Sequence, residues 1–279
     1  MRLYEILEDV LSTTSEITEE FASIRPPFAS PSGKMRMAKG FAKDIPKHRV
    51  YVEPFAGSAA VFFAKPKSEI EVLNDLDSDV SGTLRRLSTL TRAEMDELTS
   101  MDFTGSESKY RRLHGSRPTS KIGKIYRFIY LARFSMNSQR NLGQFNHFSA
   151  VTTPYLARRV PPAVERLRGV RIYSEDYESV CKRYDSPNTF YFLDPPYSGY
   201  ASLEREVAES KFNEQRFFDM LTNLKGKWLL NYGTKGELPN MLRQAGYKVR
   251  TESRASNANI MKHGKSNGAK LTHIIASNY

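Results

Sequence analysis

Asp194-Pro195-Pro196-Tyr197 follows directly on the run Thr189-Phe190-Tyr191-Phe192-Leu193. An exocyclic amino nitrogen on a nucleobase is a poor nucleophile, because its lone pair is delocalised into the ring. A carboxylate and a carbonyl that each accept one of its N–H bonds localise that pair. Asp194 and the C=O of Pro195 suit this task, since the two prolines fix the turn and leave their carbonyls as acceptors. Tyr197 offers a ring on which an extruded base can stack. The plainer reading is an Asx-type proline turn that ends a strand.

A second group of residues has the chemistry to hold a nucleotide. Val52-Glu53-Pro54-Phe55-Ala56-Gly57-Ser58 is a small-residue turn in which Gly57 lets the backbone approach a ligand at the head of a helix. Asp75 ends the next apolar run, Ile70–Leu73, and lies roughly 20 residues beyond that turn, where such folds bind both ribose hydroxyls. The alternative role for Asp75 is a helix N-cap.

These residues need a scaffold. Val50–Val52 reads as a short buried strand, Ala59–Phe63 as the start of a helix and Ile70–Leu73 as a second strand, the opening of a doubly wound α/β fold. Lys34–Ile45 reads as a helix preceding it. The alternation pauses between about 81 and 170, where Leu84–Leu98 and Ile122–Phe134 are helical stretches and 137–146 is polar and turn-rich. It resumes with strands at 170–173, 189–193, 227–231 and 271–276 and a helix near 177–184. Arg25-Pro26-Pro27 sets off the N-terminal residues 1–24, which carry six acids against one base.

Charge is partitioned along the 279 residues. The net +11 is almost entirely in Ser81–Val170, with 16 Lys/Arg against 6 Asp/Glu; the remaining 189 residues hold 26 and 25. Clustered cations gain by releasing counterions from phosphates, so this segment is expected to bind a polyanion. One cysteine, Cys181, rules out an internal disulfide framework, and the five histidines show no ligand spacing. No metal is expected. Nothing approaches the ~20 apolar residues that cross a bilayer, and the acidic N-terminus does not read as an export signal; a cytoplasmic protein with no membrane partner is expected.

EPFAGSAAVFF, LNDLDSD, FLDPPY and NSQRNLGQFN, in that order, resemble the Dam-type (DPPY, alpha-group) DNA adenine N6-methyltransferases, including those of phages. The resemblance runs from about Pro27 to Tyr279. It implies an α/β fold: a seven-stranded, Rossmann-like S-adenosylmethionine-dependent methyltransferase sheet with an inserted, mainly helical target-recognition domain. It implies S-adenosylmethionine as cofactor and double-stranded DNA as partner, with monomer and homodimer both open. The division is then 1–24 as an extension, 25–80 and 171–279 as the catalytic domain, and 81–170 as the recognition domain.

Residue by residue, the resemblance assigns Asp194, Pro195, Pro196 and Tyr197 to catalysis. It assigns Lys34, Phe55, Ala56, Gly57, Asp75, Asp176 and Tyr177 to the cofactor. Asn137 to Asn146 is similar to the family's base-reading hairpin, with Arg140 able to grip guanine O6 and N7 or a phosphate. Lys121, Lys124, Arg127 and Arg133 recur at helical spacing and are expected on the DNA backbone.

Three positions depart from the pattern. Ala59 stands at the second glycine of FxGxG, Ser30 at the aromatic before the GGK-like Ser32-Gly33-Lys34, and the hairpin is short. Transfer to N4 of cytosine or to RNA adenine, and a catalytically weakened fold that only binds or shields DNA, are the alternatives.

Overall fold

The strands that carry the site motifs are apolar along nearly their whole length, and the fold explains why. A computed structural model describes residues 24–30, 34–138, 140, 143–147, 158–197, 212–255 and 270–279; the acidic residues 1–23 lie outside them. Seven strands form one sheet: β1 (Val50–Glu53), β2 (Ile70–Asn74), β3 (Arg171–Tyr173), β4 (Thr189–Leu193), β5 (Lys227–Gly233), β6 (Lys248–Ala255) and β7 (Lys270–Ser277). Their order is β3-β2-β1-β4-β5-β7-β6, with β7 antiparallel to both of its neighbours and the other pairs parallel. Parallel strands covered by helices on both faces must be apolar on both faces. All five residues of β4 are buried, and successive residues feed opposite layers. Phe190 and Phe192 join the core with Tyr51, Leu73, Leu229 and Ile275, whereas Tyr191 and Leu193 join Val52, Val72, Leu230 and Ile274.

Around the sheet, the helices are α1 (Ala38–Asp44), α2 (Ala60–Ala64), α3 (Ser78–Ser88), α4 (Arg92–Ser100), α5 (Glu107–Gly115), α6 (Lys121–Phe134), α7 (Val160–Leu167), α8 (Tyr177–Tyr184), α9 (Glu214–Asn223) and α10 (Leu238–Gln244). The first layer includes Leu84, Leu98, Phe103, Ile129, Phe134 and Val164, so the helical insert shares a continuous core with one face of the sheet. Burying each such aromatic or aliphatic side chain contributes roughly 1.5–3 kcal/mol. The second face is covered by α8, α9 and α10 through Val180, Phe217, Met220 and Leu242.

Several local expectations change. The Lys34–Ile45 stretch is a short 3-10 turn at Lys34–Arg36 followed by α1, not one helix. Leu84–Leu98 is two helices, because Thr91 and Glu94 form a reciprocal capping box that starts α4 afresh. The residue that caps α3 is Asp77, which accepts from the N–H of Asp79 and Val80, and not Asp75. That cap also begins α3 at Ser78, before the boundary drawn at 81. Helices α5, α7, α9 and α10 and strand β6 have no counterpart among the elements read from sequence.

A buried ion cluster ties the insert to the sheet. Arg166 of α7 and Lys65 both bond the Glu71 carboxylate, and Arg166 also reaches the Phe62 carbonyl at 3.1 Å. Burial lowers the Lys65 ammonium to about 8 even with Glu71 beside it. Such clusters contribute little net stability, yet removing one member strands the others and costs about 3–5 kcal/mol.

Candidate active site

The order in which successive strands are added to the sheet reverses at β1, whose parallel neighbours are β2 on one side and β4 on the other. A crevice therefore opens beyond the carboxyl ends of these strands, which is where open α/β sheets bind ligands. Every motif residue expected at catalysis or cofactor binding follows a strand that ends there, except Lys34.

Asp194 leaves the end of β4. Three donors converge on one of its oxygens, Oδ1: the Tyr197 hydroxyl at 2.8 Å, the Asn231 amide at 2.9 Å and the Lys34 ammonium at 3.0 Å. No described residue bonds Oδ2. The clamp is assembled from three separate parts of the chain. Tyr197 ends the proline turn, Asn231 lies on β5 beside β4, and Lys34 comes from the 3-10 turn that leads into α1. Lys34 Nζ also lies 5.0 Å from the centre of the Tyr197 ring, a cation–π distance. Pro195 is buried and Pro196 half-buried. Lys34, expected at the cofactor, thus sits on the Asp194 carboxylate.

Beyond β1, Gly57 adopts a left-handed backbone with φ +49° and donates its N–H to Asp75 Oδ2 at 2.7 Å. A side chain at Gly57 would also press on Ser30, whose Oγ lies 3.3 Å from the position of a Cβ. The Ala56 N–H bonds the Asn74 carbonyl at 2.8 Å, which fixes the turn against β2. Burial pushes the Asp75 carboxyl up to about 6, offset by the N–H groups of Gly57 and Asp77 and raised further by the Asp77 charge. Glu53, at the end of β1, is more strongly perturbed: burial raises it to about 8, against hydrogen bonds from the Tyr51 hydroxyl (2.9 Å) and the Phe62 N–H (3.2 Å).

Ala59 is the strained member of this turn. Its φ of +56° and ψ of +39° are left-handed, and it is fully buried. A Cβ in this conformation costs roughly 1–2 kcal/mol.

At the far end of the crevice, Phe55, Tyr177, Phe212 and Phe217 form an aromatic group with ring centres 5.1 to 6.3 Å apart. The Tyr177 hydroxyl is buried without a hydrogen-bond partner among the described residues. Asp176 caps α8 and pairs with Arg216 at 2.7 Å; burial opposes its charge, but the guanidinium leaves its carboxyl lower than usual. A left-handed glycine turn, a half-buried carboxylate just after β2 and an orphaned hydroxyl beside an aromatic group fit a nucleoside bearing a charged tail.

Residues of the insert are placed differently from one another. Met136 and Gln144, and Phe134 and Asn146, pair through their backbones, so the segment expected as a hairpin closes on itself. Asn146 donates its N–H to Phe134 there; Asn137 lies in the 3-10 turn Met136–Ser138, and its side chain is outside the described set. Arg140 is buried, bonded to Asp77 Oδ2 at 2.6 Å and stacked over the Phe128 ring at 4.2 Å. Lys121 bonds Glu94 and the Thr89 carbonyl, and Arg127 caps the carbonyls of Leu113 and His114. Lys124 is exposed and Arg133 half-buried. Among the four helical cations, therefore, two already serve the fold of the insert.

The family model for D12 class N6 adenine-specific DNA methyltransferases matches residues 32–257. The chain belongs to that family. As a member of it, the chain is an N6 adenine-specific DNA methyltransferase. The type II methyltransferase M.CviBI of Paramecium bursaria Chlorella virus NC1A is 23% identical over 262 residues, covering 88% of this chain and 96% of that one. The DNA adenine methylase of Salmonella typhi is 27% identical over 175 residues, covering 60% of this chain and 62% of its own length. A solved structure of the putative methyltransferase yhhF from Escherichia coli aligns over 91% of this chain and 90% of that one at 10% identity, with a TM-score of 0.38.

Four residues that bond the expected site residues or their loops carry no motif of their own. Asn231 holds Asp194. Asn74, fully buried, bonds the Pro54 carbonyl and both backbone groups of Glu175, so one side chain joins the loops after β1, β2 and β3. Asp77 and Arg216 pair with residues that were assigned. The detectable signal for Asn231 and Asn74 is a polar residue near the carboxyl end of an otherwise apolar strand.

Proposed function

We propose that this methyltransferase binds duplex DNA in the cytoplasm and acts on an adenine turned out of the helix, with S-adenosylmethionine as the methyl donor. The observation that carries the reading is the asymmetric clamp on Asp194. Oδ1 is saturated by three donors, one of them cationic, which fixes the carboxylate plane. Oδ2 is then the oxygen that accepts one N6 hydrogen, and the Pro195 carbonyl takes the other. Holding both hydrogens in fixed acceptors localises the nitrogen lone pair without reorganisation at the moment of transfer. Tyr197 is anchored through its hydroxyl, so its ring is held where a flipped base can stack.

S-adenosylmethionine, when bound, supplies a methyl group on a sulfonium leaving group. Asp75 would bind its ribose, the Phe55–Ala56–Gly57 turn would pass beneath it, and Asp176 and Tyr177 would contact its adenine. Residues 25–80 and 171–279 form the catalytic part of this reading, and 81–170 the part that meets DNA.

The test begins with long-read sequencing of DNA from cells that express the protein, which gives the modified sequence. A duplex of that sequence with 2-aminopurine in place of the target adenine is then titrated with the enzyme. The reading expects a rise in 2-aminopurine fluorescence on binding, and fluorescence that stays quenched at saturation would refute base extrusion.

A further inference from the structure

Arg140 and Asp77 belong to two sites that the reaction must fill together. Arg140 lies in the segment that pairs back on Phe134–Met136, and Asp77 lies in the turn that carries Asp75. Asp77 is fully committed. Its Oδ1 caps α3 through Asp79 (2.8 Å) and Val80 (3.4 Å), its Oδ2 takes Arg140, and its N–H donates to Asp75 Oδ1 at 2.9 Å. Arg140 is committed at one end only. Its Nη2 bonds Asp77 and its plane rests on Phe128, while Nε and Nη1 have no partner among the described residues. Phe128 in turn meets Phe28 edge-on at 4.8 Å, in the segment that precedes Lys34. The Arg140 charge also acts on Asp75, lowering its carboxyl in opposition to burial.

We propose that Asp77 is a positioning residue that couples cofactor binding at Asp75 to DNA reading by Arg140. A ligand that orders the Asp75 carboxylate orders the turn through the Asp77 N–H, and the Asp77 side chain then holds the guanidinium fork with its remaining donors turned to an acceptor pair on a base. Contiguous hydrogen bonds with a defined partner at each link are the physical basis for such coupling, and the coupling is reciprocal. A fork buttressed at one amino group loses less freedom when it takes a base than a free side chain does. The inference rests on the reading that Arg140 faces DNA.

Both ideas are separable in one set of titrations. Affinity for a labelled duplex of the methylated sequence is measured with and without S-adenosylhomocysteine, for the wild type, Asp77→Asn and Arg140→Ala. For the wild type, S-adenosylhomocysteine should tighten DNA binding roughly fivefold or more. In Asp77→Asn, that factor should fall below about twofold. Asn is itself a good N-cap, so this variant should keep α3 capped; calorimetry with S-adenosylhomocysteine alone gives each protein's own cofactor affinity, against which its coupling factor is read, and Asp77→Ser is the substitute if the Asn variant does not fold. Calorimetry on the DNA complex should return the same wild-type factor.

Arg140→Ala should weaken specific DNA binding roughly tenfold. If Arg140→Ala binds and discriminates like the wild type, the DNA reading of Arg140 fails and the coupling with it. If Arg140→Ala is impaired but Asp77→Asn retains the wild-type coupling factor, or the wild type shows none, the DNA reading stands and the coupling is refuted.

Discussion

The Lys34 ammonium lies 3.0 Å from Asp194 Oδ1, and both side chains are less than a tenth exposed. A lysine drawn from the turn before α1 therefore neutralises and orients the carboxylate at the end of β4, across 160 residues of sequence. The consequence is that Asp194 can be an acceptor of fixed geometry in a largely dry site, where an unpaired carboxylate would be costly.

Lys34→Met should lower kcat roughly tenfold or more, since a charge-assisted hydrogen bond of about 1.5–3 kcal/mol is lost. DNA affinity should change little. Single-turnover rates alongside duplex titration separate the two, and an unchanged kcat would remove Lys34 from the clamp.

Asn231→Ala removes the amide donor to Asp194 Oδ1 and should reduce kcat roughly ten- to hundredfold on the same reasoning. Asn231→Asp should be worse, because it sets a second carboxylate against the first. Steady-state kinetics decide: an Asp variant more active than the Ala variant would contradict the assigned hydrogen bond.

Ala59→Gly should stabilise the protein, as glycine has no Cβ penalty at φ +56° and gives back only part of that gain in chain entropy. The net is about 0.5–1 kcal/mol, visible as a higher Tm, and S-adenosylhomocysteine should bind at least as tightly. A lower Tm would show that the Ala59 methyl is worth more in packing than its backbone costs.

Glu53 gives a pH signature. Burial holds its carboxyl at about 8, against 4.5 when exposed. Below 4.5 both folded and unfolded chains carry the proton, and no difference arises. Between those values the unfolded chain ionises while the folded one keeps its proton, so stability falls as pH rises, until about 8. Glu53→Gln removes this dependence. Its Tm advantage over the wild type should be small near pH 4.5 and grow up to pH 8; denaturation across that range is the check, and a constant difference would contradict it.

How much of this was legible beforehand varies with what the sequence encodes locally. Strands β1, β2, β4 and β5 read correctly because burial on both faces makes them near-continuous apolar runs, and the turns after β1 and β4 carry glycine or proline where the backbone needs it. Strand β6, Lys248-Val249-Arg250-Thr251-Glu252-Ser253-Arg254-Ala255, lies at the sheet edge and alternates charge with small residues, so it carries no such run.

Within the site, residues on one motif were legible and their partners were not. Asp194 and Tyr197 sit in one tetrapeptide, but Asn231 reaches them only through the pairing of β4 with β5, and Lys34, which the sequence assigns to the cofactor, reaches Asp194 only through the fold. Asp75 reads from sequence as a ribose ligand or a helix cap; Asp77, two residues on, is the cap and leaves Asp75 for Gly57. Arg140 was identified by its place in a polar turn, and nothing local indicates that it packs on Phe128 and Asp77. The Lys65–Glu71–Arg166 cluster joins positions up to 101 residues apart and is equally silent in the sequence.

Tritiated S-adenosylmethionine, mixed-sequence DNA and nucleoside analysis of the product test the central claim most directly. The account predicts label in N6-methyladenine from the wild type, and a loss of more than about a thousandfold in Asp194→Ala with DNA affinity nearly intact. Label in N4-methylcytosine, no transfer at any salt concentration, or an active Asp194→Ala would contradict it.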